Sequence, residues 1–144
     1  MQAAELREAI PAAIDALGGD ARISSTLGPD AWAIFRGRVL GYIALIAPES
    51  GEGEGVVHVT FPILRLPEEN AEAVLRRLLE LNHELGAFAS FSLDGKGKVW
   101  LGAGRFAEDL NDHELRELIA QVAGLADRYD AELLEAFGRS LALE

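Results

Sequence analysis

The segment Val57-His-Val-Thr-Phe-Pro-Ile63 limits the possible folds of this chain more than any other stretch. Val57, Val59, Phe61 and Ile63 fall on one side, and His58, Thr60 and Pro62 on the other. A period of two is the signature of a β-strand with one buried face. Such a strand needs hydrogen-bonded neighbours and a cover on its apolar side, so the rest of the chain must supply both.

The neighbours are legible. Residues 32–46 are rich in β-branched and aromatic side chains, and Gly37 and Gly41 mark a turn or bulge between two strands. Gly28-Pro29-Asp30 is a turn signal before them. Glu alternates with Gly over residues 49–55, which can bury nothing and reads as a mobile hairpin loop. Residues 88–93 and 98–103 form two further strand patterns, joined by Asp94-Gly95-Lys96-Gly97. Asp-Gly between β-patterned runs is a strong hairpin signal because both central turn positions need a positive φ.

The cover comes from helical periods. Leu6, Ile10, Ile14 and Leu17 share one stripe ahead of Gly18-Gly19, with Pro11 expected to bend that helix or delay its start. A second helix is expected to open at Pro67, where Glu68 and Glu69 suit the positive end of its dipole, and to end at Gly86. Its stripe reads Val74, Leu75, Leu78, Leu79, Asn82 and Leu85. Asn111, with Glu114 three residues on, makes a capping-box-like start for the longest helix, whose apolar period runs from Leu115 to Phe137 despite Gly124. The order is therefore α-β-β-β-α-β-β-α in one domain over residues 1–144. It implies an α+β fold: a five-stranded twisted antiparallel sheet with helices packed mainly on one face.

Composition narrows the function. Half the chain is apolar (49%), which suits one core. Thirteen Lys+Arg against 24 Asp+Glu give a net charge of −11, a field that repels phosphate and anionic headgroups and argues against direct nucleic-acid or membrane-surface binding. No segment reaches the roughly 18 uninterrupted apolar residues of a membrane helix. Residues 1–17 lack the basic start and unbroken apolar run of a signal peptide. There is no cysteine, so disulfides, thiolate metal sites and thiol nucleophiles are excluded, and a cytoplasmic location is expected.

Catalytic constellations are weak. His58, His83 and His113 are too far apart in sequence to pair on one helix turn, and each is expected to be solvated or to cap locally. Glu68-Glu69, Glu108-Asp109 and Asp112 sit at helix starts, where acidic residues collect without catalytic cause. Ser24, Ser25, Ser90 and Ser92 lack a nucleophile elbow and a nearby His. Gly102-Ala-Gly-Arg105 lacks the Lys-Ser/Thr of a phosphate loop and is expected to let a strand end and turn. Arg76-Arg77 belongs to a helix face that also carries Glu72 and Glu80, and reads as salt-bridged surface. No metal, cofactor or catalytic residue is assigned.

Apolar side chains without an assured cover are the stronger signal. Trp100 falls opposite Val99 and Leu101, and Phe88 opposite Phe91 and Leu93. If helices cover one face only, both aromatics point away from the core, as interface residues often do. Trp32, Phe35, Leu75, Leu79, Phe88, Trp100 and Phe106 are the candidate partner or dimer interface.

Leu78-Leu-Glu-Leu-Asn-His83, residues 88–93, Asp94-Gly95, residues 99–101 and Leu125-Ala-Asp-Arg-Tyr129 together resemble the YbjN-like family and its relatives with the type III secretion chaperone-like fold. That resemblance implies a small acidic cytoplasmic homodimer that holds a segment of another protein, as a chaperone-like or regulatory adaptor without catalysis. A small-ligand sensor with an apolar pocket between sheet and helices is the alternative.

Overall fold

The computed structural model describes residues 1–19, 22–23 and 29–143, with the backbone alone for residues 22–23. The elements follow the order α1 (Ala3–Ala16), β1 (Arg22–Ile23), β2 (Ala31–Arg36), β3 (Val39–Ile46), β4 (Val56–Arg65), α2 (Ala71–Leu85), β5 (Ser90–Leu93), β6 (Lys98–Phe106) and α3 (Asp112–Phe137). All strand pairs are antiparallel. Their order across the sheet is β1-β2-β3-β4-β6-β5. The five strands expected from the sequence are β2 to β6. β1 is a two-residue addition outside β2. Ser24, Ser25 and Gly28 lie outside the described residues.

The clean alternation of β4 has its physical cause in the cover on one side. Val57, Val59, Phe61 and Ile63 are buried, and so are Ile43 and Leu45 of β3 and Val99, Leu101 and Ala103 of β6. Against them pack Leu6, Ile10 and Ile14 of α1 and Leu115, Ile119, Val122 and Ala126 of α3, in a single apolar cluster. Phe61 fits because Gly41, on β3, has no side chain: a Cβ there would lie 2.4 Å from the ring. Pro62 occupies a central strand, where its missing N–H would break a ladder. The register shifts between Pro62 and Leu64, and this bulge lets both Ile63 and Leu64 turn inward.

Two polar contacts fix the periphery. The β2–β3 hairpin is pinned to α3 by Arg38, whose Nε and guanidinium nitrogen donate to the buried Asp130 carboxylate at 2.6 and 3.1 Å. The hairpin tip needs Gly37, which has a φ of 60° and would otherwise press a Cβ onto Asp127. At the opposite edge, the Asn82 side chain of α2 donates to the Phe91 carbonyl at 3.1 Å and accepts from the Phe91 N–H at 2.6 Å. That amide occupies an outward-facing backbone pair of β5, so α2 closes part of this sheet edge.

Several local expectations are corrected. Helix α1 starts at Ala3 and runs through Pro11, so Pro11 does not delay its start. Helix α2 begins at Ala71, not Pro67, because Asn70 takes a left-handed φ of 59° that no helix interior can hold. The loop over residues 49–55 is tethered: the Glu54 carboxylate accepts from the Ala3 N–H, and the Glu54 N–H donates to Glu108, each at 2.7 Å. Asn111 does cap α3, accepting from the Glu114 N–H at 2.8 Å.

Candidate protein-binding surfaces

With α1 and α3 packed on the Phe61 side, the other face of the sheet has no helix against it among the described residues. The strand register shows what stands there. Tyr42, Thr60, Gly102 and Ser90 form one cross-strand row, and Pro62, Trp100 and Ser92 another. Phe35 is opposite Leu40, while Ile46, Val56 and Phe106 form a third row at the far end. Phe35 is 57% exposed and Phe106 64%. Between these apolar ends lies a floor of small residues, Ala44, Thr60, Gly102 and Gly104.

Trp100 is held in a fixed pose. Its indole Nε1 donates to Asp94 Oδ2 at 2.9 Å, while Asp94 Oδ1 accepts from the backbone N–H groups of Lys96 and Lys98 at 2.8 and 2.9 Å. The Trp100 hydrogen bond, with those backbone donors, lowers the Asp94 carboxyl from 3.8 to about 2. It therefore stays ionised, and the indole stays anchored, at any ordinary pH. Tyr42 packs beside Trp100 with ring centroids 6.4 Å apart, and the Lys98 ammonium sits 5.7 Å from the Trp100 ring centre. Phe35, Leu40, Tyr42, Pro62 and Lys98, together with the paired Arg38 and Asp130, line a surface groove of about 340 Å³ at this end.

His58 is half-buried rather than solvated. A Cβ at Gly102 would lie 3.5 Å from its Nε2, and one at Gly104 3.5 Å from its Cδ2, so the two glycines make room for the imidazole on the open face. Burial lowers its pKa below 6.5. Gly102-Ala-Gly104 thus lies inside β6 as ladder, and does not end the strand. His83 and His113 are exposed on helices. Among the described residues no group of three or more His, Asp or Glu converges as a metal site.

The second apolar surface is on α2. Val74, Leu78 and Leu81 face the core, whereas Leu75 is 36% and Leu79 69% exposed. The stripe read from the sequence is wider than the side the sheet covers, because α2 sits at the β5 edge and meets protein on one flank. Around Leu75 and Leu79 lie both signs of charge, with Arg76 paired to Glu72 at 3.4 Å and Arg77 to Glu84 at 3.7 Å.

Of the seven residues expected at an interface, Phe35, Trp100 and Phe106 stand on the open sheet face, and Leu75 and Leu79 on α2. Trp32 does not belong with them. It is 5% exposed, because it pairs with Ile43 on the core face beside Ile34. Phe88 is off the open face as well: β5 starts only at Ser90, so strand alternation does not reach it. Phe88 is half-buried near Leu110 and Leu118, under the Arg105 guanidinium, 5.4 Å from the ring centre. Tyr42, Leu40, Ile46 and Val56 were missed as surface residues, although the same alternation carried through residues 39–46 would have found those of β3.

The small-ligand alternative finds no support. The space between sheet and helices is filled by side chains such as Phe61, Ile43, Leu101 and Ile119, each 0% exposed.

Residues 5–144 match the model of the family described as TY-Chap1, T3SS (YopN, CesT) and YbjN peptide-binding chaperone 1. The chain belongs to the TY-Chap1 family. A search of curated protein sequences finds no match. Among solved structures, the TY-Chap1 chain is similar to one in the ExsC–ExsE complex, with a TM-score of 0.64 and 17% identity over 91% of this chain and 96% of that one. It is similar to a chain of the HopA1–SchA chaperone–effector complex, with a TM-score of 0.60 and 12% identity over 91% and 98%. A third likeness is to a chain in the structure of the Yersinia pestis type III secretion chaperone SycH with a fragment of YscM2, with a TM-score of 0.56 and 15% identity over 85% and 97%. At these identities the three likenesses establish the fold, which is that of the secretion chaperones. No helix among the described residues is long and apolar enough to cross a membrane.

Proposed function

We propose that this TY-Chap1 protein is a cytoplasmic, non-enzymatic chaperone-like adaptor that acts as a homodimer and holds an extended segment of a partner protein on the open face of its sheet. The observation that carries this reading is the patch of exposed Phe35 and half-buried Leu40, Tyr42, Pro62 and Trp100 on the face without a helix, with the Trp100 indole bonded to Asp94. Side chains already fixed lose little rotamer freedom on binding, and aromatic anchors of this kind dominate binding energy. Several solved structures that share the fold are complexes with a second protein, which favours a protein partner over a small molecule.

The two apolar surfaces call for different occupants. A two-fold contact presents the same patch to itself, so it favours a patch that carries both charges, as the outer face of α2 does. The second copy is assigned to Leu75 and Leu79.

Binding to an array of apolar decamer peptides tests the reading, together with light scattering for mass. The expectation is a mass twice that of the chain, peptide binding by the native protein, and loss of peptide binding in Trp100→Ala with the mass unchanged. A monomer, or peptide binding indifferent to Trp100, contradicts the proposal.

A further inference from the structure

In a chain of net charge −11, the open sheet face is the exception to the acidity. Among the described residues, no Asp or Glu occupies any of its strand positions, while Lys98 of β6 stands directly opposite Arg65 of β4. Like charges directly opposed across a ladder repel. Neither cation forms an ion pair among the described residues. Arg65 donates only to the Lys96 carbonyl at 3.2 Å, and Lys98 lies against the Trp100 ring. Two carboxylates come near: Asp130, which lines the groove and is paired with Arg38 at 2.6 Å, and Asp94, whose two oxygens already accept three N–H groups. Asp94 acts on Lys98 through space.

We infer that the partner segment seated on the open face is apolar and carries a carboxylate that lies between Lys98 and Arg65, next to Trp100. The inference rests on the peptide-binding reading above and adds the charge and register of the segment to it. The Trp100, Tyr42 and Pro62 surface takes an apolar side chain, and a Glu or Asp one or two residues away reaches the cation pair. The field of the whole protein opposes an acidic ligand. It is screened within about 10 Å at 0.1 M salt, so the adjacent cations decide. Two open faces pressed together would bring no negative strand position to these cations, which disfavours a second copy as the occupant.

The test is an array of decamers that share their apolar residues and differ only in carrying Glu, Gln or Lys, probed at 0.1 M salt. The native protein is expected to hold the Glu peptides about fivefold more tightly than the Gln ones, the scale of an exposed ion pair. Arg65→Gln and Lys98→Gln should each shrink that preference, and the double variant should erase it while still binding Gln peptides. Both positions are on the surface, and thermal melting checks that the variants fold. Equal binding of all three sets, or preference for Lys, overturns the inference and leaves the peptide-binding reading standing. Absence of binding to any peptide removes both. Dissociation of the dimer in the Gln variants would assign this face to a second copy and likewise overturn the inference.

Discussion

The open sheet face and the outer face of α2 are both apolar and both uncovered, yet they are built differently. On the sheet, aromatic side chains are fixed by partners: Trp100 by Asp94, and Tyr42 by Trp100. On α2, Leu75 and Leu79 stand four residues apart on an exposed stripe, framed by surface ion pairs of both signs. Among the described residues the sheet-face cations Arg65 and Lys98 form no ion pair, whereas the helix face is balanced. A rigid, one-signed surface selects a partner unlike itself. A balanced stripe tolerates a copy of itself. In the proposed assignment the client site and the dimer site therefore differ in charge balance and preorganisation, not in hydrophobic area.

This contrast can be broken in order of expected effect. Leu79→Glu would place a desolvated charge at the centre of the proposed helix contact and should weaken dimerisation by about 100-fold. Peptide affinity per chain should hardly change, as light scattering and peptide titration would show together. A loss of both activities would mean that the two surfaces are not separable. Trp100→Ala removes the sheet anchor and should cost about 2 kcal/mol, or some 30-fold, in peptide affinity, with dimer mass unchanged. Asn82→Ala leaves the Phe91 N–H and carbonyl unpaired at the β5 edge. It should lower stability by about 1–3 kcal/mol in denaturant unfolding, with peptide affinity kept if the open face, and not this edge, is the client site.

The smallest effects are electrostatic. His58 has its pKa lowered by burial, so the unfolded chain binds a proton more readily than the folded one. Stability is then highest with His58 neutral and should decline as pH falls below 6.5. His58→Gln should flatten the dependence of melting temperature on pH between about 7 and 5. An unchanged slope would mean that the imidazole is not desolvated on the sheet. Asp94 acts in the same direction, at lower pH. Its depressed carboxyl gives a contribution that is complete above 3.8 and fades only as pH falls towards 2, so the Trp100 anchor outlasts the loss of neutral His58.

The sequence showed some of this architecture clearly and some not at all. The hairpin at residues 94–97 was announced, but its positive φ of 81° falls at Gly97 and not at Asp94 or Gly95. Val57 to Ile63 announced a half-covered sheet because alternation reports burial directly. Trp100 was legible on the open face for the same reason. Trp32 was misread because its strand was not phased against Ile34 and Ile43, which share its core face. Phe88 was misread because alternation was extended past the start of β5, into a bend. The start of α2 was misplaced because Pro67-Glu68-Glu69 satisfies a helix start locally, while the left-handed Asn70 is a property of the path of the chain. The opposed Arg65 and Lys98 could not be seen at all. Their meeting depends on the bulge at Pro62–Leu64, which resets the phase of β4 by one residue.

The most direct test of the central claim uses the two tryptophans of the chain, Trp32 in the core and Trp100 on the open face. In a Trp32→Phe variant, the remaining emission reports on Trp100 alone. Adding the tightest-binding array peptide should shift that emission to shorter wavelength as water leaves the indole, whereas dilution through the dimer–monomer transition should leave it in place. Peptide binding with no change in Trp100 emission, or an emission shift that follows dilution, would contradict the assignment of the sheet face to the partner segment.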